Sequence, residues 1–242
     1  MRAPWPARMG GADVVSTGAP GDDLRGADGA PRLVVAFVVT AVVTVAVVLL
    51  AFAVTSGWQP IRSIDIGVSD HVHVWAVAHP TVVTAFSFVS DALAPWVLRA
   101  VAAGLVVTLV VRRKRRLALW IAVTALVGSL LGLAIKVAVG RARPSFADPV
   151  ATAGGYAFPS GHALTSFVIL GVAVLAVLPV LPERLRRPVW ICAGCAVVLV
   201  GTSRVILGVH YVTDVVGAWV VGAGVLAVTT IMFDPWRRGR GN

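Results

Sequence analysis

Long uncharged runs alternate with short polar breaks along most of the chain, and that alternation predicts membrane-spanning helices. Residues 33–54 form the first run. At about 1.5 Å of rise per residue it can cross a hydrocarbon core of about 30 Å. Further runs cover residues 95–111, 117–139, 163–180, 189–205 and 212–233, which gives six expected spans joined mostly by short turns. Residues 58–94 read differently. They mix Pro, His, Asp and Ser with apolar positions, predicting an external segment whose short amphipathic helices lie against the membrane. The expected fold class is therefore all-α, an integral membrane bundle of about six transmembrane helices.

The ends lack this pattern. Residues 1–31 are rich in Gly, Ala, Pro and Asp and carry no apolar period, so they are expected to be a disordered tail. Residues 32–236 form the membrane domain, and residues 237–242 a short basic tail. Ala51-Phe52-Ala53 faintly resembles a signal-cleavage site, but the run before it is too long for a signal peptide, so an uncleaved span is expected.

Composition agrees with the bilayer as solvent: 58% of residues are hydrophobic and 13% charged. The formal charge of +10 raises the question of nucleic acid. The basic residues, however, sit in short clusters between apolar runs, the pattern that orients a membrane protein, and no nucleic-acid partner is expected. Arg112-Arg113-Lys114-Arg115-Arg116, then Arg184, Arg186 and Arg187, then Arg237-Arg238-Gly239-Arg240 all fall on one side. The positive-inside rule makes that side cytoplasmic. Both termini are then cytoplasmic in a multi-pass plasma-membrane protein, and the loops around residues 140–160 and 206–211 face outward.

Those two loops hold polar groups that the orienting rule does not explain. Lys136 falls in the last turn of the third span, and Arg143-Pro144 follows it. Pro159-Ser160-Gly161-His162 directly precedes the fourth span, while Ser203-Arg204, His210 and Asp214 surround the fifth-to-sixth connection. Cations at the outer ends of spans are costly unless they meet an anion, and phosphate fits. Arg offers a planar fork and Lys a compact point charge, a mixture suited to a phosphoryl group gaining charge during transfer. Ser160 is expected to cap the fourth span, with Gly161 letting backbone N–H groups approach the anion. His162, in the first turn, is placed to act as a general acid. His210 and Asp214 are four apart, so on one helix face the carboxylate can bond the imidazole, fix its tautomer and leave the other nitrogen to attack phosphorus. In isolation each of these has a structural explanation; their coincidence at three places on one membrane face points to a shared catalytic site.

The three elements, Lys136-x6-Arg143-Pro144, Pro159-Ser160-Gly161-His162 and Ser203-Arg204-x5-His210-x3-Asp214, resemble the tripartite signature of the type-2 phosphatidic acid phosphatases. The resemblance covers about residues 58–233, with no departure at a signature position. It implies a phosphohistidine on His210 assisted by Asp214, with His162 protonating the leaving group and later activating water. Lys136, Arg143, Ser160, Gly161 and Arg204 would bind the phosphoryl group. It implies no metal and no cofactor, in keeping with a sequence that nowhere clusters carboxylates as Mg²⁺ or Ca²⁺ requires. The expected partners are a lipid phosphate or diphosphate substrate and the membrane lipids, with polyprenyl diphosphate weakly favoured over phosphatidate and phosphatidylglycerophosphate.

Other readings remain. A transporter would also use charged groups at membrane depth, but it predicts inverted repeats, and the halves of this chain show none. A catalytically silent lipid-phosphate-binding relative would have lost a nucleophile or acid, yet His162, His210 and Asp214 are all present. Vanadate-dependent peroxidases share a similar anion pocket but are soluble. Cys192 and Cys195 are read as small packing residues, Arg99 as a side chain snorkelling to the interface, and Asp70, His71 and His73 as interfacial polar residues rather than a metal pair. Gly128-x3-Gly132 is read as a packing surface within the bundle, which leaves the oligomeric state open.

Overall fold

The computed structural model describes residues 29–234, and within them the secondary structure is entirely helical. The helices are α1 (Gly29–Thr55), α2 (Gln59–Ala78), α3 (Pro80–Ala92), α4 (Pro95–Val111), α5 (Arg115–Val139), α6 (Gly161–Val177), α7 (Glu183–Ile206) and α8 (Val212–Phe233). Six stretches are long and apolar enough to cross a membrane: Pro31–Thr55, Pro80–Val111, Arg115–Val139, Gly161–Val180, Glu183–Ile206 and Val212–Phe233. The expected tails at residues 1–28 and 237–242 lie outside the described residues; residues 29–31 already belong to α1.

One span differs from the sequence reading. Residues 80–92 were expected to lie outside, yet with α4 they make a single apolar stretch, Pro80–Val111, and α3 packs against α7. The break at Leu93-Ala94 follows from Pro95, which cannot donate to the preceding turn and steers the residue before it away from helix.

Apolar side chains point outward as well as inward. Leu33, Phe37 and Phe52 on α1 are more than half exposed, as are Leu119, Leu130 and Leu133 on α5. In water such a surface would be a large association patch; against lipid it costs nothing. The core lies between α4, α6 and α8, where Leu98 and Ala102 meet Ala163, Leu164, Val168 and Ile169, and Val215, Ala218 and Val221. A buried hydrogen bond from Thr124 to Thr229 (2.9 Å) ties α5 to α8.

Small residues permit these close crossings, as expected without a hydrophobic drive between helices in lipid. A Cβ at Gly132 would stand 2.5 Å from Leu164, and one at Gly128 3.4 Å from Val168, so the Gly128-x3-Gly132 pair packs α5 on α6 within the bundle. Gly217 on α8 lies under the Phe158 ring, which holds the segment leading into α6 against α8. Cys192 and Cys195, expected to pack, instead lie free and exposed on the outer surface of α7, because α7 is buried chiefly towards its C-terminal end.

Candidate active site

Three chain segments meet at one end of the bundle. After α5, Gly140 takes a left-handed conformation (φ 60°), its N–H closing the helix on Lys136. The chain then runs back across the bundle, pinned by a backbone hydrogen bond from Ala157 to Arg141 (2.7 Å). At the entry to α6 the Ser160 N–H donates to the Asp214 carbonyl (3.0 Å), fixing the second segment to the first turn of α8. After α7, Gly208 (φ 66°) turns the chain so that the His210 N–H folds back on the Arg204 carbonyl (3.2 Å).

His210 lies at the centre, 2% exposed. Its Nδ1–H donates to Asp214 Oδ2 (3.3 Å), while Arg143 Nη1 donates to Nε2 (2.9 Å). An acceptor on one side and a donor on the other select the tautomer with the lone pair on Nε2. α8 begins at Val212, two residues after His210, so the pair does not share a helix face. Asp214 reaches back from the first turn instead, and the same oxygen accepts the Tyr211 N–H (2.9 Å), capping α8. Burial pushes the His210 imidazole down to about 4, against the opposing pull of Asp214.

The Asp214 carboxylate is fully buried and needs a cation. Arg141 supplies it: Nη1 donates to Asp214 Oδ1 (2.6 Å) and to Thr213 Oγ1 (2.7 Å), and Nη2 to Asp65 Oδ2 (2.7 Å). Asp65, on α2 and 1% exposed, also accepts the Thr213 N–H (3.1 Å) and hydroxyl (2.5 Å). Burial works against the charge on Arg141, but the two carboxylates outweigh it and hold the guanidinium above its ordinary value. The Tyr211 ring stacks on that guanidinium at 4.3 Å. Neither Arg141 nor Asp65 was singled out in the sequence. The available signals were a second arginine two residues before Arg143 and an acid at four-residue spacing with Ser69 and His73 along one helix face.

The remaining signature side chains gather around His210. Arg143 is held by carbonyls of Gly154, Gly155 and Val209 (2.9, 2.9 and 2.7 Å), and Lys136 Nζ donates to the Tyr156 carbonyl (2.8 Å). Burial holds the Arg143 guanidinium below its ordinary value, with Asp214 opposing. Arg204 is buried and donates to Ser90 of α3, which sequence reasoning also missed. Arg204, His210, Arg143 and Lys136 are the ionisable neighbours of His162, which is half-buried in the first turn of α6. Ser160 stands at the N-cap position but makes no capping bond, contrary to expectation; its hydroxyl is buried without a partner, as is Arg204 Nε. Such unmatched donors beside an open glycine, Gly161, where a Cβ would meet nothing within 4 Å, fit an oxyanion.

Among the described residues, no three His, Cys, Asp or Glu side chains gather where they could hold a metal ion. His71 bonds back to the Gly67 carbonyl, whereas His73 stacks on Phe146 (3.8 Å) and meets Asp148 (3.0 Å), bracing the loop at Gly208. A cavity of about 590 Å³ is an apolar groove between α6, α7 and α8 that includes none of the signature residues.

The PAP2 superfamily model matches residues 117–238. Three curated relatives align. Phosphatidylglycerophosphatase B of Bacillus subtilis is 40% identical over 38% of this chain and 46% of its own length. Undecaprenyl-diphosphatase of Sulfolobus acidocaldarius is 29% identical over 48% and 54%. Lipid A 1-phosphatase of Rhizobium johnstonii is 34% identical over 46% and 45%. The chain thus spans about half the length of the curated relatives it matches. The crystal structure of a transmembrane PAP2 type phosphatidylglycerolphosphate phosphatase from Bacillus subtilis superposes with a TM-score of 0.73 and 26% identity, covering 83% of this chain and 98% of that one.

Two outcomes follow from the geometry. Asp65→Ala leaves Arg141 with one carboxylate and the Thr213 N–H unpaired, so the detergent-purified protein should lose about 3 kcal/mol of stability; an unchanged thermal midpoint would contradict the network. For His210, the unfolded imidazole titrates near 6.5 and the folded one near 4. As pH falls through that window the unfolded chain takes up the proton first, so stability present above about 6.5 is lost towards 4. Nitrogen NMR of histidine-labelled protein should place the His210 midpoint near 4; a midpoint at 6.5 would contradict its burial.

Proposed function

The chain belongs to the PAP2 superfamily, and on that premise we propose that it is a membrane enzyme hydrolysing a lipid phosphate or diphosphate through a phosphohistidine on His210. The observation that carries this reading is the polarised imidazole: Asp214 accepts from Nδ1, and Nε2 keeps its lone pair on the side where Arg143 supplies a donor. Attack by Nε2 forms an N–P bond and breaks the P–O bond to the lipid. Arg141 donates to one oxygen of Asp214 and holds the carboxylate against the ring, where it can stabilise the positive charge that develops there.

Arg143, Arg204 and Lys136, with the Ser160 hydroxyl and the N–H groups at Gly161, bind the phosphoryl oxygens where charge builds up. His162 gives its proton to the departing lipid oxygen, then takes one from the water that hydrolyses the intermediate. These side chains supply positive charge that other phosphoryl-transfer enzymes draw from Mg²⁺. The names of the curated relatives share a membrane lipid bearing a phosphate and differ in the lipid. They support the lipid-phosphatase class, within which polyprenyl diphosphate is favoured on resemblance alone. Arg115 and Arg116 open α5 at the end opposite Lys136, which supports a plasma-membrane orientation with both termini cytoplasmic and the site outward.

Detergent-purified protein, with chelator present, should release phosphate from a panel of polyprenyl diphosphate and phospholipid phosphates, and His210→Ala should lose at least about 10⁴-fold. His162→Ala should lose about 10²- to 10⁴-fold on alkyl phosphates and far less on an aryl phosphate whose leaving group needs no proton. Equal losses on both would count against His162 as the acid, and turnover retained by His210→Ala would remove the nucleophile.

A further inference from the structure

Arg99 is exposed, as a snorkelling arginine would be, but its position adds something that snorkelling does not require. It lies one turn into α4 and lines a cavity of about 150 Å³ with Ser129 and Lys136 of α5 and Gly161 and Thr165 at the start of α6. A snorkelling arginine needs only the water interface. Arg99 shares a cavity with three residues of the signature, Lys136, Pro159 and Gly161.

The arginines that surround His210 and Asp214 already have protein partners, although Arg204 keeps its Nε unmatched. Arg141 is held by Asp65 and Asp214, Arg143 by three carbonyls, and Arg204 by Ser90. Arg99 makes no hydrogen bond or ion pair with any described residue, and neither the Ser129 nor the Thr165 hydroxyl is engaged. A guanidinium and two hydroxyls free to donate, with an ammonium at the inner end, form a site for a second anionic group. Leu133, 59% exposed, forms part of the rim, so the cavity opens sideways to the lipid-facing surface.

Resting on the hydrolase reading above, we propose that Arg99 and the cavity it shares with Lys136 bind a phosphate that stays on the lipid, so that the enzyme favours substrates whose leaving group keeps a phosphate. In a diphosphate, Nε2 of His210 bonds to the terminal phosphorus, and the bridging P–O bond breaks. The electron pair leaves on the bridging oxygen, raising the negative charge of the lipid-side phosphate. Such an oxygen, with a second pKa of about 6, departs without a proton. Arg99 and Lys136 stabilise the added charge as it forms. In a simple monophosphate the leaving group is an alcohol that takes the His162 proton, with no second phosphate for Arg99 to meet.

The test compares kcat/KM for polyprenyl diphosphate and for phosphatidylglycerophosphate, each as a ratio to phosphatidate, in wild type, Arg99→Gln and Arg99→Lys. Losing a charge-assisted contact should lower the diphosphate ratio about 10- to 100-fold in Arg99→Gln, with partial recovery in Arg99→Lys. A fall in the diphosphate ratio alone assigns the cavity to a directly linked phosphate; a fall in the phosphatidylglycerophosphate ratio as well extends it to a phosphodiester one glycerol away. Unchanged ratios in an active Arg99→Gln enzyme would overturn this inference alone. Wild-type silence on all three lipids would overturn the hydrolase reading and this inference with it.

Discussion

The buried carboxylate of Asp214 is the constraint on which the rest of this end of the molecule depends. A fully buried carboxylate is tolerable only when its charge is matched and its lone pairs are filled. Here Arg141 takes one oxygen, and the Tyr211 N–H and His210 Nδ1–H take the other. Each bond also sets a piece of backbone: Arg141 anchors the crossing after α5, Tyr211 starts α8, and His210 closes the turn after α7. Asp65 extends the same network to α2 through Arg141 and Thr213. Charge balance and chain path are therefore one problem with one solution, and the imidazole is held in a single tautomer as a result.

Much of the architecture could be read from hydropathy because lipid imposes long apolar runs. Lys136 in the last turn of α5 and His162 in the first turn of α6 fall where the sequence puts them. The failures have physical causes. Residues 80–92 look too polar for a span when taken alone, since Ser90 and Asp91 are legible only as part of a bundle in which Ser90 meets Arg204. The Ser160 hydroxyl follows the capping rule by position only; the Asp214 carbonyl takes its N–H, and its side chain remains buried and uncapped. Asp65 and Arg141 sit 76 residues apart, and no local pattern announces a partner at that distance.

The bilayer setting also explains where the chemistry can be. Apolar side chains cover the outside of the spans, so the charged side chains gathered around His210 are confined to the helix ends and the two connections that cross them. The lipid phosphate proposed as substrate would meet such a site without leaving its own layer. The close crossings at Gly132 and Gly217 hold the entry to α6 in place, keeping Ser160, Gly161 and His162 against the α8 end that carries Asp214. Packing in the membrane and alignment of the reacting groups are in this sense the same feature.

The central claim is that phosphorus passes through His210. Incubating His162→Ala with an activated aryl phosphate, which needs no acid for departure, should trap the intermediate because hydrolysis lacks its base. Quenching in alkali and mapping by mass spectrometry should find an acid-labile phosphate on the peptide containing His210. Phosphate on another residue, or turnover by direct water attack with no labelled peptide, would contradict the account.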